Sequence, residues 1–216
     1  MGKLNRGFLG GFRGRLGPAY GCFWRGMDLV KTLPRKSGKP GTPKQLVIQQ
    51  KLAVVTGFLS GMGPLIEIGF KGVTNSGESA MNAAVSYNIQ NAVTGIAPNF
   101  VMDYTKLKYS FGKLPLPNEI QVTMLPLAKL EVNWSPRSYG VVKIHPDDLA
   151  TFVVYNPEKN TFVVLEDAAR RDETTYTIQM PSEFIGDTVF FFMNFITSDG
   201  KLVSENSNLG NLVILP

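Results

Sequence analysis

A single cysteine, Cys22, and a single histidine, His145, occur in this chain of 216 residues. One cysteine excludes an intramolecular disulfide framework. One histidine without further cysteines leaves too few ligands for a zinc site. The two residues also fall in different regions, with nothing to join them into a nucleophile–base pair. Long apolar runs are scarce as well. The strongest, residues 189–196, is interrupted by Asn194 and falls well short of the roughly 20 residues of a spanning helix. No apolar stretch follows Lys3 and Arg6 to make a secretory signal. Arg6 also stands where a myristoylation signal requires Ser or Thr. The expectation is synthesis in the cytoplasm without a membrane span, compatible with a final place in an extracellular or phage-like assembly.

Acid is nearly missing from the first 45 residues, which hold ten Lys/Arg against Asp28 alone, a balance of +9. Residues 46–216 hold twelve Lys/Arg against sixteen acids, a balance of −4. A basic arm is therefore joined to a mildly acidic body. The arm contains "GFLGGFRGRLGPAYGCFWRG", dense in glycine, arginine and aromatic rings. It lacks the G-x-x-x-x-G-K-[ST] phosphate loop and has no strand ahead of it. Its arginines at 6, 13, 15 and 25 exclude a lipid-spanning helix, and Pro18 and the glycines count against any helix. An extended arm remains, with a hairpin expected across "AYGCFWRGMDLVKTL", turning at Arg25-Gly26.

Three regions follow: a Gly-rich basic arm over 1–41, a central helical region over 42–115, and a β-rich region over 116–216. Thr42, Pro43 and Gln45 form a helix-start signal of the T-x-x-Q type. Behind them Ile48, Leu52, Val55, Leu59, Met62 and Ile66 share one face. Gly57, Gly61, Gly63 and Pro64 predict a break near 60–63. A second helix is expected from Ser79 to Thr94, stopped by Gly95. Its amides Asn82, Asn88, Gln90 and Asn91 read as a solvated face. One or two strands are expected after Pro98, where Phe100, Met102 and Tyr104 alternate.

From residue 117 short alternating strands recur between turn residues. They carry Ile120/Val122/Met124, Leu130/Val132/Trp134, Phe152/Val154, Phe162/Val164, Tyr176/Ile178/Met180 and Val189/Phe191/Met193/Phe195. A seventh is placed around 201–206, continued by 209–215. The fold class is α+β: an extended or β arm, a small helical centre, and a seven-stranded antiparallel β-sandwich. Trp134 late in the second strand and "GDTVFFFMNFITSDGKLVSENS" resemble a fibronectin type III domain, an immunoglobulin-like sandwich. The lone cysteine counts against a bridged antibody-type domain.

The ordered set "MGKLNRGFLGGFRGRLG", "WRGMDLVKTLPRKSGKPGTPKQL", "AMNAAVSYNIQNAVTG", "VVYNPEKNTFVV" and "GDTVFFFMNFITSDGKLVS" resembles, over nearly the whole chain, an uncharacterised family of proteins of this length from Bacteroidota genomes. The resemblance implies no activity, cofactor or catalytic residue.

The chemistry-bearing residues are equally bare. His145 beside Asp147 and Asp148 reads as a loop histidine, and Glu166/Asp167 and Asp172/Glu173 read as turn charges, not an acid–base pair. No catalytic residue, cofactor, metal or small-molecule substrate is expected. The candidate contact residues are Arg6, Phe8, Phe12, Arg13, Arg15, Tyr20, Phe23, Trp24, Arg25, Arg35 and Lys36. They point first to a non-enzymatic structural subunit that self-assembles through the arm into a filament, tube or phage-like particle, displaying the sandwich outward. Cations for phosphates and rings for bases make nucleic acid the alternative partner. A sandwich acting as an adhesion or binding module is a third reading.

Overall fold

The computed structural model describes residues 3–4, 10–24, 26–34, 38, 40–72, 74, 78–136 and 143–216. The chain divides into two compact units, Met1–Thr42 and Pro43–Pro216.

In the first unit four strands, β1 (Lys3–Leu4), β2 (Phe12–Leu16), β3 (Ala19–Trp24) and β4 (Met27–Thr32), form an antiparallel sheet in sequence order. The expected hairpin is present, with Trp24 opposite Met27. Its loop has Gly26 at φ +83°. The other tight turn, between Leu16 and Ala19, has Gly17 at φ +59°. A side chain at either position would be strained, so both turns depend on glycine. The remainder of the arm is not simply extended: β1 and β2 complete a meander.

The second unit is built in three layers. Helix α1 (Pro43–Leu59) starts at its proline, and a single 3-10 turn (Ser60–Met62) passes into α2 (Gly63–Gly69) at the expected break. Helix α3 (Ala80–Asn91) is capped by the Ser79 side chain, which accepts from the Asn82 N–H at 3.1 Å. It ends three residues before the expected Thr94. Val93–Ile96 is instead strand β5, paired with β6 (Asn99–Met102). Gly95 therefore bends a hairpin and does not stop a helix.

The strands from residue 120 run as a sandwich. β7 (Ile120–Leu125), β8 (Lys129–Trp134) and β11 (Thr175–Gln179) form one sheet in the order β11-β8-β7. β9 (Leu149–Asn156), β10 (Thr161–Arg170), β12 (Thr188–Ile196) and β13 (Ser207–Val213) form the other, in the order β10-β9-β12-β13. Between them Leu130, Val132, Trp134 and Ile178 meet Phe152, Val154, Phe191, Met193 and Phe195.

The outer face of the four-stranded sheet is buried too. Val153, Tyr155 and Phe192 pack with Val55, Phe58, Leu59, Met62, Ile66 and Phe70 of the helical layer. Phe58 meets the Tyr155 ring edge-on at 4.8 Å, a geometry the ring quadrupoles favour. Burial on both faces explains why β9 and β12 read as nearly continuous apolar runs, "FVVY" and "VFFFM". The helices are thus one layer of the same unit as the sandwich.

Three sequence expectations change here. The seventh strand is Ser207–Val213; Val203 and Ser204 make only isolated bridges. The reason is Asn206, whose Oδ1 accepts from the N–H groups of Tyr109 and Ser110 at 3.0 and 3.2 Å. Its Nδ2 donates to the Leu107 carbonyl at 2.9 Å. The chain is held there against residues 107–110 and cannot join the ladder.

Asn88 is the second change, being fully buried and not solvated. Its Oδ1 accepts from Lys108 N–H at 3.0 Å and its Nδ2 donates to the Lys108 carbonyl at 2.7 Å. Two asparagines thus satisfy a crossing segment that has no strand partner. Asn88→Ala leaves both Lys108 groups unpaired, and a loss of about 2 kcal/mol is expected, read as a lower urea midpoint at unchanged slope.

The third change concerns α1. Its predicted stripe is buried from Val55 onward, but Ile48 and Leu52 are 60% and 41% exposed. Over those turns the helix is half-buried on a different side, at Val47, Gln50, Lys51 and Val54, and Lys51 Nζ stands 5.2 Å from the Phe100 ring of β6. By length and composition Pro43–Gly69, with a mean hydropathy of 1.5, is apolar enough to cross a membrane. Its C-terminal half, however, supplies the core contacts above.

Candidate interaction surfaces

The register of β2, β3 and β4 sorts the arm residues onto two faces. Leu16 opposes Ala19, and Ala19 opposes Thr32; Gly21 opposes Val30 and Phe23 opposes Asp28. That face is apolar, and the Phe12 ring lies over Gly21, where a Cβ would collide with it. Arg15 opposes Tyr20, Tyr20 opposes Lys31, Cys22 opposes Leu29, and Trp24 opposes Met27. The second face is basic and aromatic. The Arg13 guanidinium stands 5.2 Å from the ring centroid of Phe23, a cation–π contact that brings a positive charge onto the face carrying Phe23.

Neither face is covered within the described unit. Gly21 is its only buried described residue, while Leu16 and Val30 are 61% and 67% exposed and Phe23 and Trp24 about half. A sheet with three or more strands needs an apolar face buried against something to be stable by itself. Among the described residues of its own unit, this one has the apolar face and no second layer upon it.

Of the eleven residues singled out by sequence, Phe12, Arg13, Arg15, Tyr20, Phe23 and Trp24 lie on this sheet. Arg6, Phe8, Arg25, Arg35 and Lys36 lie outside the described residues. Sequence reasoning missed Leu16, Val30 and Lys31. Their importance comes from register, which sets which residues share a face; alternation within "MDLVKT" was the available signal.

A second concavity lies at one end of the sandwich, a cleft of about 660 Å³ lined by Lys143, His145, Asp147, Asp199 and Lys201 among others. Its carboxylates are already engaged. Asp147 accepts from the Ser198 hydroxyl at 2.7 Å, which holds its carboxyl below the usual range. Asp199 accepts from Lys201 Nζ at 2.8 Å and from the Thr197 hydroxyl at 2.6 Å. The Lys201 bond depresses the Asp199 carboxyl most and raises the Lys201 ammonium. Among the described residues no group of three or more His, Cys, Asp or Glu is placed to hold a metal. His145 is exposed in its loop.

Beneath that cleft a charge pair is buried. Arg171, 1% exposed, donates from Nε to Asp148 Oδ2 at 3.0 Å and from an Nη to the Pro115 carbonyl at 3.0 Å. Its guanidinium stacks 4.1 Å from the Phe195 ring centroid, and its own carbonyl accepts from Trp134 Nε1 at 2.9 Å. The arrangement closes the end of the sandwich.

Comparison with known proteins adds the family. No curated protein matches the sequence. A solved fibronectin type III domain of the human collagen alpha-1(XX) chain resembles half of this chain. It shares 18% identity at a TM-score of 0.30, with 50% of this chain and 90% of that one covered. So slight a likeness leaves the sandwich resting on its own strand order and registers. Residues 11–210 match the model described as a family of unknown function, DUF6266, and the chain belongs to that family.

Proposed function

We propose that the chain is a non-enzymatic structural subunit that self-assembles through its N-terminal sheet, with the sandwich displayed on the assembly as part of the three-layer body. The observation that carries this reading is the uncovered apolar face of Leu16, Phe23 and Val30 on a sheet without a core of its own. Burying such side chains is worth about 1.5–3 kcal/mol each, and a neighbouring subunit supplies the surface. The opposite charges of the first 45 residues and the remainder, +9 and −4, favour contact between copies. A filament, tube or phage-like particle all follow from such a contact.

Deleting residues 2–33 is expected to convert a large assembly into a monomer, by light scattering and negative-stain microscopy. A truncated protein that assembles like the full-length chain overturns the reading.

A second reading rests on the other face. Arg15, Tyr20 and Lys31 form a cross-strand row of two cations about one ring, suited to phosphates and an unpaired base. It requires nucleic-acid binding that collapses steeply between low and moderate salt. Purified protein indifferent to single-stranded DNA and RNA at low salt removes it.

A further inference from the structure

We infer that Lys159 and Asp187 are the two halves of an intramolecular isopeptide cross-link, which the chain forms by itself between the β9–β10 turn and the residue leading into β12. The inference concerns the second unit alone and stands independently of the assembly reading.

Lys159 Nζ donates to Asp187 Oδ2 in direct contact, across 28 positions of sequence. The same Oδ2 accepts from Asn156 Nδ2 at 2.6 Å. Both sides of the contact are anchored. Asn156 is fully buried, and its Oδ1 accepts from the N–H groups of Glu158 and Lys159 at 3.0 and 3.2 Å, which sets the turn. The Asp187 N–H donates to the Phe184 carbonyl at 3.0 Å, and the Asp187 carbonyl accepts from the Ile214 N–H at 3.1 Å. Lys159 Nζ also stands 5.9 Å from the centroid of the buried Phe184 ring. The Asp187 side chain is 13% exposed and that of Lys159 38%, so the pair sits at the rim of the interior, where released water can leave. The Glu158 carboxyl lies within hydrogen-bond reach of Asp187. An amine, a carboxyl, a buried amide donor and a second carboxyl therefore meet at one point.

The resting pair is ionised, since Lys159 and Asn156 hold the Asp187 carboxyl below its usual range. Reaction begins when Nζ passes a proton to Oδ2 along the existing hydrogen bond, which makes both groups neutral without exchange with solvent. The Nζ lone pair then attacks Cγ, the C–N bond forms, and the carbonyl electron pair moves onto Oδ1. Glu158 takes the second proton from Nζ and delivers it to the Oδ2 hydroxyl. The pair on Oδ1 returns, the Cγ–Oδ2 bond breaks, and water departs. Asn156, bonded to Oδ2, holds the leaving oxygen. One ammonium and one carboxylate become one amide and one water, with nothing oxidised or reduced. Well-oriented partners held in contact react at effective molarities of about 10⁵–10⁸ M, which favours an amide that the same groups do not form when dilute in water. The product encloses β10 and β11 in a covalent loop.

Intact-mass spectrometry of the full-length protein, denatured after prolonged incubation in its folded state, tests this. The wild type is expected to weigh one water molecule less than its sequence. Trypsin is expected to spare the bond after Lys159 and to release a branched peptide joining residue 159 to residue 187. Lys159→Arg keeps the positive charge and lacks the amine, and it is expected at full sequence mass. Glu158→Gln is expected to convert at least about 100-fold more slowly, the usual scale of a lost proton carrier. Circular dichroism verifies that each variant is folded, and the branched peptide is read in the wild type and needs no variant. A wild type that stays at full mass overturns the cross-link. So does a water loss that persists in Lys159→Arg, which marks an aspartyl succinimide instead. A branched peptide that joins other residues overturns it as well. Conversion of Glu158→Gln at the wild-type rate overturns the proton relay.

Discussion

Replacing Arg171 with alanine is expected to lower the stability of the second unit by about 3–5 kcal/mol, the cost of breaking a buried charge pair. The guanidinium is buried, and burial, the larger influence, holds its basicity below the ordinary value while Asp148 partly offsets this; a guanidinium is so strong a base that it still carries its charge in the neutral range. Alanine removes the Nε bond to Asp148, the bond to the Pro115 carbonyl and the stack on Phe195. What remains is a carboxylate in the interior with its charge uncompensated. The cost comes chiefly from that stranded charge. Hence the double variant Arg171→Met/Asp148→Leu is expected to recover most of the loss, because neither residue then needs a partner. Urea denaturation of the wild type, the single variant and the double variant measures this directly. A single variant within about 0.5 kcal/mol of wild type, the range of ordinary surface substitutions, refutes the account of the buried pair.

The second large effect distinguishes a three-layer unit from a sandwich with a separate helical domain. Phe191 and Phe192 are neighbours on β12 with opposite orientations, both essentially fully buried. Phe191 faces the sandwich interior and Phe192 faces the helices. Each truncation to alanine is expected to cost about 3–5 kcal/mol, a transfer loss plus a cavity. In a two-layer sandwich the outward position is solvent-exposed and the same change is nearly neutral. Equal losses at 191 and 192, in one cooperative transition, are the expected result. Two separate transitions, with Phe192→Ala affecting neither, contradict the packing of the helices on the sheet.

Much of this architecture was legible in the residues. The sandwich announced itself by period: a strand half-buried in an antiparallel sheet must alternate, and Leu130/Val132/Trp134 and Tyr176/Ile178 do so. The proline at the first turn of α1 marked its start for a local steric reason, and the glycine of Arg25-Gly26 marked a hairpin for another. Where the reading missed, the information was not local. Asn88 looks like any helix amide until the irregular segment 107–110 is laid against it. Asn206 looks like a strand residue until its amide is spent on the same segment. Arg171, between charged neighbours Arg170 and Asp172, has no sequence mark of burial. Only the return of β10 beside the loop at 143–148 brings Asp148 to it.

The arm shows the same division. Its composition by itself determined that it is basic and aromatic and that its arginines do not suit a lipid-spanning helix. Its turns follow from where glycine is indispensable. Which side chains share a face was decided by pairing: a one-residue slip of register would exchange the apolar set of Leu16, Phe23 and Val30 with the basic set of Arg15, Tyr20 and Lys31. Likewise, periodicity determined that α1 and α2 carry an apolar stripe from Ile48 to Ile66, whereas packing decided that it is buried only from Val55 onward. A hydrophobic pattern records what a segment can bury; the arrangement of its neighbours in space fixes how much of it is buried.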